Sequence, residues 1–303
     1  MNVTRVLRAS ISRVNGSVME ELFAARERAI AEPVAGLNAS LMYSSGWFLL
    51  WLEGAQASVD LVLTRTTRKL RLHVQPRVIH RSTGPATLQE PLTLLATQWP
   101  ESPAEYARRI DAVEHHPAKL EPGEMWRLLA EPSALGAVAP PRRIALVGAD
   151  DMRSMDFVRK LADRFRVPMV YQRFANSEIG TRDVGAAYVD LPIDGNPTRV
   201  QVLSRRALGH RMVRESLKGV QKLAVLLGSH PQVAIELADS VAGFVHALPD
   251  APSIDLVGQC HETARSVSDY LLRQMRRALP GRVNLATEAS LLEVLFGPQR
   301  LAA

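Results

Sequence analysis

The chain has 303 residues, 47% of them hydrophobic, and its 37 lysines and arginines outnumber its 31 aspartates and glutamates, for a formal net charge of +6. That length suits two globular domains of about 150 residues each, and the charge permits an acidic protein, a nucleic acid or an anionic membrane as partner without demonstrating any of them. A lone cysteine, Cys260, excludes an internal disulfide and fits a reducing cytoplasm, MNVTRVLRAS is not followed by the apolar run of a signal peptide, and no apolar stretch approaches the ~18 residues of a membrane span.

In chain order, Val3–Ile11 reads as a strand. Ser17 is a helix N-cap, with Glu20 completing a capping box; Val18, Leu22, Ala25 and Ala29 form the apolar stripe, and Pro33 stops the helix. The stretch Asn38–Gly54, NASLMYSSGWFLLWLEG, holds two apolar runs, Ala39–Tyr43 and Trp47–Leu52, around Ser44-Ser45-Gly46. This reads as a β-hairpin, and its near-continuous apolar character places both strands centrally, buried on both faces. Ala57–Lys69 reads as a helix and Leu70–Ile79 as a strand with Leu72, Val74 and Val78 alternating. The order β-α-β-β-α-β is ferredoxin-like. Beyond Ile79 the pattern thins out: Leu88–Trp99, Pro103–Ala112 and Glu124–Ala130 read as short helices, and prolines 117, 122, 132, 140 and 141 punctuate the stretch. The expected organisation is a domain over 1–100, a linker with short helices over 101–140, and a second domain over 141–303.

The second domain changes rhythm. Arg143–Gly148 reads as a strand, Asp156–Arg166 as a helix, and Val184–Ile193 and Arg199–Ser204 as strands joined through Asp194-Gly195-Asn196-Pro197, a strong hairpin signal. Three strand–helix units complete the chain: Leu223–Gly228 with Val233–His246, Ile254–Gly258 with Thr263–Ala278, and Val283–Ala286 with Ala289–Phe296. This alternation predicts a doubly wound, mostly parallel α/β sheet with one antiparallel edge.

The wording of the central hairpin is more specific than its pattern. GWFLLWLEG resembles the third-strand signature of the BLUF family of flavin-binding blue-light sensors. VTRVLRAS resembles the family's first strand, and SVDLVLTRTTRKLRLHVQPRVI its second helix and fourth strand, so the resemblance covers residues ~3–82. It implies an FAD cleft near Arg8, Glu32, Asn38 and Leu50. It also implies departures. The family's photochemical Tyr falls on Arg8 and its Gln on Leu50, which has no donor or acceptor, while the flavin-holding Asn falls near Ala31 or Glu32. Residues 142–297 resemble the small Ras-like GTPases in element order. Here the phosphate-loop Gly, Lys and Ser/Thr fall on Arg153, Ser154 and Met155, and Asp150 and Asp151 set carboxylates where phosphates would lie. Ser204-Arg205-Arg206-Ala207 replaces Asp-x-x-Gly, and Gly258-Gln259-Cys260-His261 replaces the guanine-reading Asn-Lys-x-Asp.

Other chemistry-bearing residues read as ordinary. Asp150 and Asp151 suit a helix N-terminus better than a cation site. Cys260-His261 are loop neighbours with no third partner. His115-His116 lack metal-site companions. Arg205, Arg206, His210, Arg211, Arg214, Lys218 and Lys222 make a basic run over one expected helix, without aromatic residues to stack bases. Arg205, Arg206, Arg211 and Arg214 are therefore a candidate interaction face for protein, and nucleic acid is not expected. The expected function is a non-enzymatic cytoplasmic regulator or scaffold with protein partners and a homodimer, no cofactor, no metal and no catalytic residue. The alternative is an FAD-binding blue-light photoreceptor with a C-terminal output domain.

Overall fold

The computed structural model describes residues 2–13, 17–69, 73–99, 101–115, 120–131, 141–149, 151–176, 184–209, 213, 217, 219–248, 250–258, 260–275, 280–285 and 288–297. The chain divides into two compact units, Met1–Pro132 with Gln172–Asp183, and Ser133–Tyr171 with Val184–Ala303.

The first unit begins β1 (Asn2–Ser12), α1 (Val18–Ala31), β2 (Asn38–Ser44), β3 (Trp47–Gly54), α2 (Gln56–Lys69) and β4 (His73–Pro85). Ser17 caps α1, its side chain accepting from the Glu20 amide. Ser45 and Gly46 both take positive φ, 46° and 82°, the two-residue turn whose twist matches the strands it joins. The strands run in the order β2-β3-β1-β4, antiparallel at each step, which is the ferredoxin-like arrangement the element order predicts.

The segment Leu88–Trp99 is not a helix. It contains β5 (Thr93–Gln98), parallel to β2 with Ser40 opposite Thr93 and Ser44 opposite Thr97. Its leucines alternate between sheet faces once β2 offers a ladder, so a tertiary partner overrode a helical-looking run. Two helices of the expected linker, α3 (Pro103–His115) and α4 (Pro122–Ala130), fall within this unit. Both start with reciprocal caps, Ser102 with Glu105 and Glu121 with Glu124. The Tyr106 hydroxyl donates to the Leu129 carbonyl at 2.5 Å, and the Trp47 indole to the Pro103 carbonyl at 2.9 Å.

Period-two alternation gives the sheet two distinct faces. Val6, Phe48, Leu52 and Leu94 join α1 and α2 in one apolar cluster. Trp51, on the opposite face, meets Trp126 of α4 edge-on, with ring centroids 6.1 Å apart. Gly54 closes β3 where a Cβ would lie 2.8 Å from the Gly36 carbonyl oxygen, a contact no side chain can relieve. Gly54→Ala is expected to cost about 1–3 kcal/mol through a forced backbone shift, read as a lower urea midpoint.

The second unit holds β6 (Arg142–Gly148) and α5 (Asp151–Phe165), then β7 (Val170–Asn176), whose residues from Gln172 onward belong to the first unit. It continues with β8 (Val184–Ile193), β9 (Asn196–Leu203), β10 (Lys222–Leu226), α6 (Pro231–His246), β11 (Ser253–Gly258), α7 (His261–Gln274), β12 (Pro280–Leu285) and α8 (Glu288–Phe296). The order β12-β11-β10-β6-β9-β8 is parallel except for β8, antiparallel to β9, so the mostly parallel sheet and its antiparallel strand are as the alternation predicts. Asp194 and Gly195, at φ 51° and 74°, make the tight turn between β8 and β9. β7 is a strand absent from the elements expected above, although the alternation of buried Val170, Gln172 and Phe174 with exposed Tyr171 and Arg173 carries its signal.

Candidate functional site

A cleft of about 470 Å³ lies in the first unit, within the usual range for small-molecule sites. Its floor is the face of the sheet that carries Arg8 and Ser10 of β1, Leu41 of β2, and Phe48 and Leu50 of β3. These positions share a face because side chains alternate along each strand. Arg8 and Leu50 are directly paired across β1 and β3, so the two residues singled out from the sequence lie side by side. One wall is α1, where Glu21, Ala25, Arg28 and Ala29 recur at helical spacing; the other is α2, through Val62, Arg65 and Thr66. Glu32 and Pro33 close the end of α1.

The charge is unevenly placed. At the mouth Arg28 pairs with Glu21 at 3.0 Å, and Arg65 approaches Glu32 at 3.9 Å. Arg8 is only 5% exposed, and burial pushes its guanidinium below the usual arginine value. Asn38 does not line the cleft. Its amide donates to the Leu88 carbonyl at 2.7 Å and helps fix the loop entering β5.

That loop is held from the opposite face by Glu53, a residue that reads from the sequence only as the end of a strand. The carboxylate accepts from Arg5 Nε at 2.6 Å, the Thr87 amide at 2.6 Å, the Leu88 amide at 2.8 Å and Trp51 Nε1 at 3.1 Å. Burial alone would raise its pKa, but hydrogen bonds from Thr87, Leu88 and Arg5 together hold it below the ordinary carboxylate value. Pro91 and Leu92, just beyond the held loop, line the cleft. A local Leu-Glu-Gly gives no hint of this role, because its partners lie 34 and 48 residues away.

The remaining candidates do not assemble into a site. Asp150, His116, Arg211 and Arg214 lie outside the described residues. Asp151 is the first residue of α5. Arg205 lies in a short 3-10 helix, Arg205–Gly209, and pairs with Glu236 of α6 at 3.1 Å; Arg206 follows it in that helix, so the expected long helix does not begin here. Cys260 is the exposed N-cap of α7 and His261 its exposed first residue. A hydrogen bond from the Thr263 side chain, then those from the backbone amides of Thr263 and Glu262, lower the thiol pKa. His115 Nδ1 lies 2.8 Å from the Asp111 carbonyl oxygen. Among the described residues no group of three or more His, Cys, Asp or Glu could hold a metal ion, and no helix is long and apolar enough to cross a membrane.

No family model matches the sequence, and no curated protein matches it. Solved structures similar to it include BLUF proteins. BlsA in its photo-activated state is 19% identical, with 46% of this chain and 99% of that chain covered and a TM-score of 0.30. BlrB, a BLUF protein in its dark state, is 17% identical over 43% of this chain and 96% of that chain, with a TM-score of 0.28. BlrP1 of Klebsiella pneumoniae, in a complex with manganese and cyclic di-GMP, is 14% identical over 96% of this chain and 78% of that chain, with a TM-score of 0.26. With TM-scores below 0.5, the fold description rests on the strand order and registers above.

The residues at the cleft floor do not fit a flavin held as the family resemblance implies. Leu50, at the position where the resemblance implies an amide, offers no donor or acceptor, and Arg8 stands where it implies a phenol hydroxyl.

Proposed function

We propose that this chain is a BLUF-like regulatory protein whose first unit binds a small molecule and whose second unit passes the signal to a protein partner or a second copy of the chain. The observation that carries the reading is the formed cleft of about 470 Å³ between two helices and an apolar sheet floor. The second unit acts non-catalytically. The reading draws on the sequence resemblance of its element order to a GTPase-type module, in which Arg153, Ser154 and Met155 fall where nucleotide chemistry needs Gly, Lys and a hydroxyl. The unit's helix faces are the proposed contact surface, and Arg205 and Arg206, at the start of the basic run, serve it.

A second reading, an FAD-binding blue-light photoreceptor, draws on the third-strand wording and on the ferredoxin-like strand order of the first unit. The visible spectrum separates the two. The protein is incubated with excess FAD, desalted, and scanned before and after blue light. The expected result is loss of the flavin on desalting. Retained flavin absorbance with a light-induced red shift would establish the photoreceptor reading and overturn the first. Light scattering of the full chain is expected to give twice the monomer mass.

A further inference from the structure

Most of the residues lining the cleft are apolar, with Leu41, Phe48 and Leu50 on the floor and Ala25 and Val62 on the two helical walls. The polar side chains among them are already engaged. Arg28 holds Glu21 at 3.0 Å and Arg65 approaches Glu32 at 3.9 Å, so these four charges offset one another in pairs. The Thr66 hydroxyl donates to the Val62 carbonyl at 2.7 Å, one turn back along α2. Arg8 and Ser10 each have an interaction within the chain. Among the described residues, the lining therefore offers a ligand no uncommitted polar side chain. A polar or charged group entering the cleft gives up its water and regains a side-chain partner only by disturbing one of these interactions. A hydrocarbon surface has no such loss and is driven in by the water it leaves.

We infer that the cleft selects an uncharged molecule that is mostly hydrocarbon, seated on the Leu41, Phe48 and Leu50 floor between α1 and α2. This rests on the small-molecule reading of the first unit and names the ligand class. Phe48 meets Tyr43 edge-on, with ring centroids 5.2 Å apart, which fixes an aromatic surface in the floor. Leu50 beside it adds neither donor nor acceptor. The same lining discriminates against a carboxylate or sulfonate of equal skeleton, which would have to compete with Glu21 and Glu32 for arginines those residues already hold.

The test titrates two fluorescent probes of one aromatic skeleton into the full chain, uncharged N-phenyl-1-naphthylamine and its sulfonate, 1-anilinonaphthalene-8-sulfonate. The neutral probe is expected to bind about tenfold tighter or more, the equivalent of one polar group left without a partner. Leu50→Lys places an uncommitted cation on the floor and is expected to erase or reverse that preference by strengthening sulfonate binding. Ala25→Trp and Val62→Trp narrow the cleft from opposite walls, and each is expected to weaken the neutral probe about tenfold or more. If the sulfonate binds as tightly as the neutral probe, or gains nothing from Leu50→Lys, while the tryptophan variants still weaken binding, the ligand class is overturned and the cleft stands as a binding site. If neither probe binds, or both tryptophan variants leave binding unchanged, the small-molecule reading falls with it. The two-probe comparison in the unaltered chain needs no variant, and circular dichroism with the thermal midpoint establishes that each variant titrated is folded.

Discussion

Replacing Glu53 with alanine is expected to lower the stability of the first unit by about 3–5 kcal/mol, the usual result of removing one partner of a buried ion pair. Glu53 is 1% exposed and Arg5 is 3% exposed. Without the carboxylate, Arg5 keeps, among the described residues, its donations to the Pro85 carbonyl at 2.7 Å and to Ser82 at 3.5 Å, and the amides of Thr87 and Leu88 lose their acceptor. The double replacement Arg5→Met with Glu53→Leu removes the orphaned charge and is expected to recover part of the loss. It does not recover all of it, because the two loop amides still have no partner. The readout is a urea titration followed by tryptophan fluorescence, which isolates this unit, since all four tryptophans (Trp47, Trp51, Trp99 and Trp126) lie within Met1–Pro132. The pH dependence has a defined sign. The folded pKa of Glu53 lies below the ordinary 4.5, so its contribution is fully present above that value and is lost as the pH falls through the folded one. In Glu53→Ala the acid limb of the stability profile is expected to flatten.

Asp190→Ala is expected to cost the second unit a similar amount, about 3–5 kcal/mol. Arg199, 2% exposed, lies directly across from Asp190 in the β8–β9 ladder and grips both carboxylate oxygens, at 2.8 and 3.0 Å. Its guanidinium carbon stands 3.9 Å from the centre of the Tyr188 ring. The pair supports the register of the hairpin, because a one-residue slip of either strand would turn its charge to the other face, away from its partner. Arg199→Lys is expected to destabilise as well, since an ammonium neither forks onto a carboxylate nor stacks on the ring. Far-UV circular dichroism during urea unfolding is the measurement, because the tryptophans do not report on this unit.

These two ion pairs and the cleft show how far the sequence could be read. Strands and helices with strong local signals were legible: the Ser17 cap of α1, the turns at Ser45-Gly46 and Asp194-Gly195, and the near-continuous apolar strands β2 and β3. Arg8 and Leu50 could be placed at the cleft because a shared signature fixed their positions on adjacent strands. Arg28 and Arg65 could not be connected with it, since nothing in α1 says which face of α2 it will meet. The resemblance implies Asn38 near the cleft, yet its amide turns to the Leu88 carbonyl, a partner 50 residues away.

What the sequence determined by itself is therefore the local part: where the chain turns, which segments alternate every second residue, and the order β-α-β-β-α-β followed by α/β units. These arise from backbone sterics, capping and hydrophobic periodicity, which act over a few residues. That Thr93–Gln98 is a strand, that α3 and α4 belong to the first unit and that Glu53 anchors the 87–88 loop emerge in the folded chain alone. Each of these depends on a partner far along the chain, and a hydrogen-bond ladder or a buried counter-ion has no energy until that partner arrives.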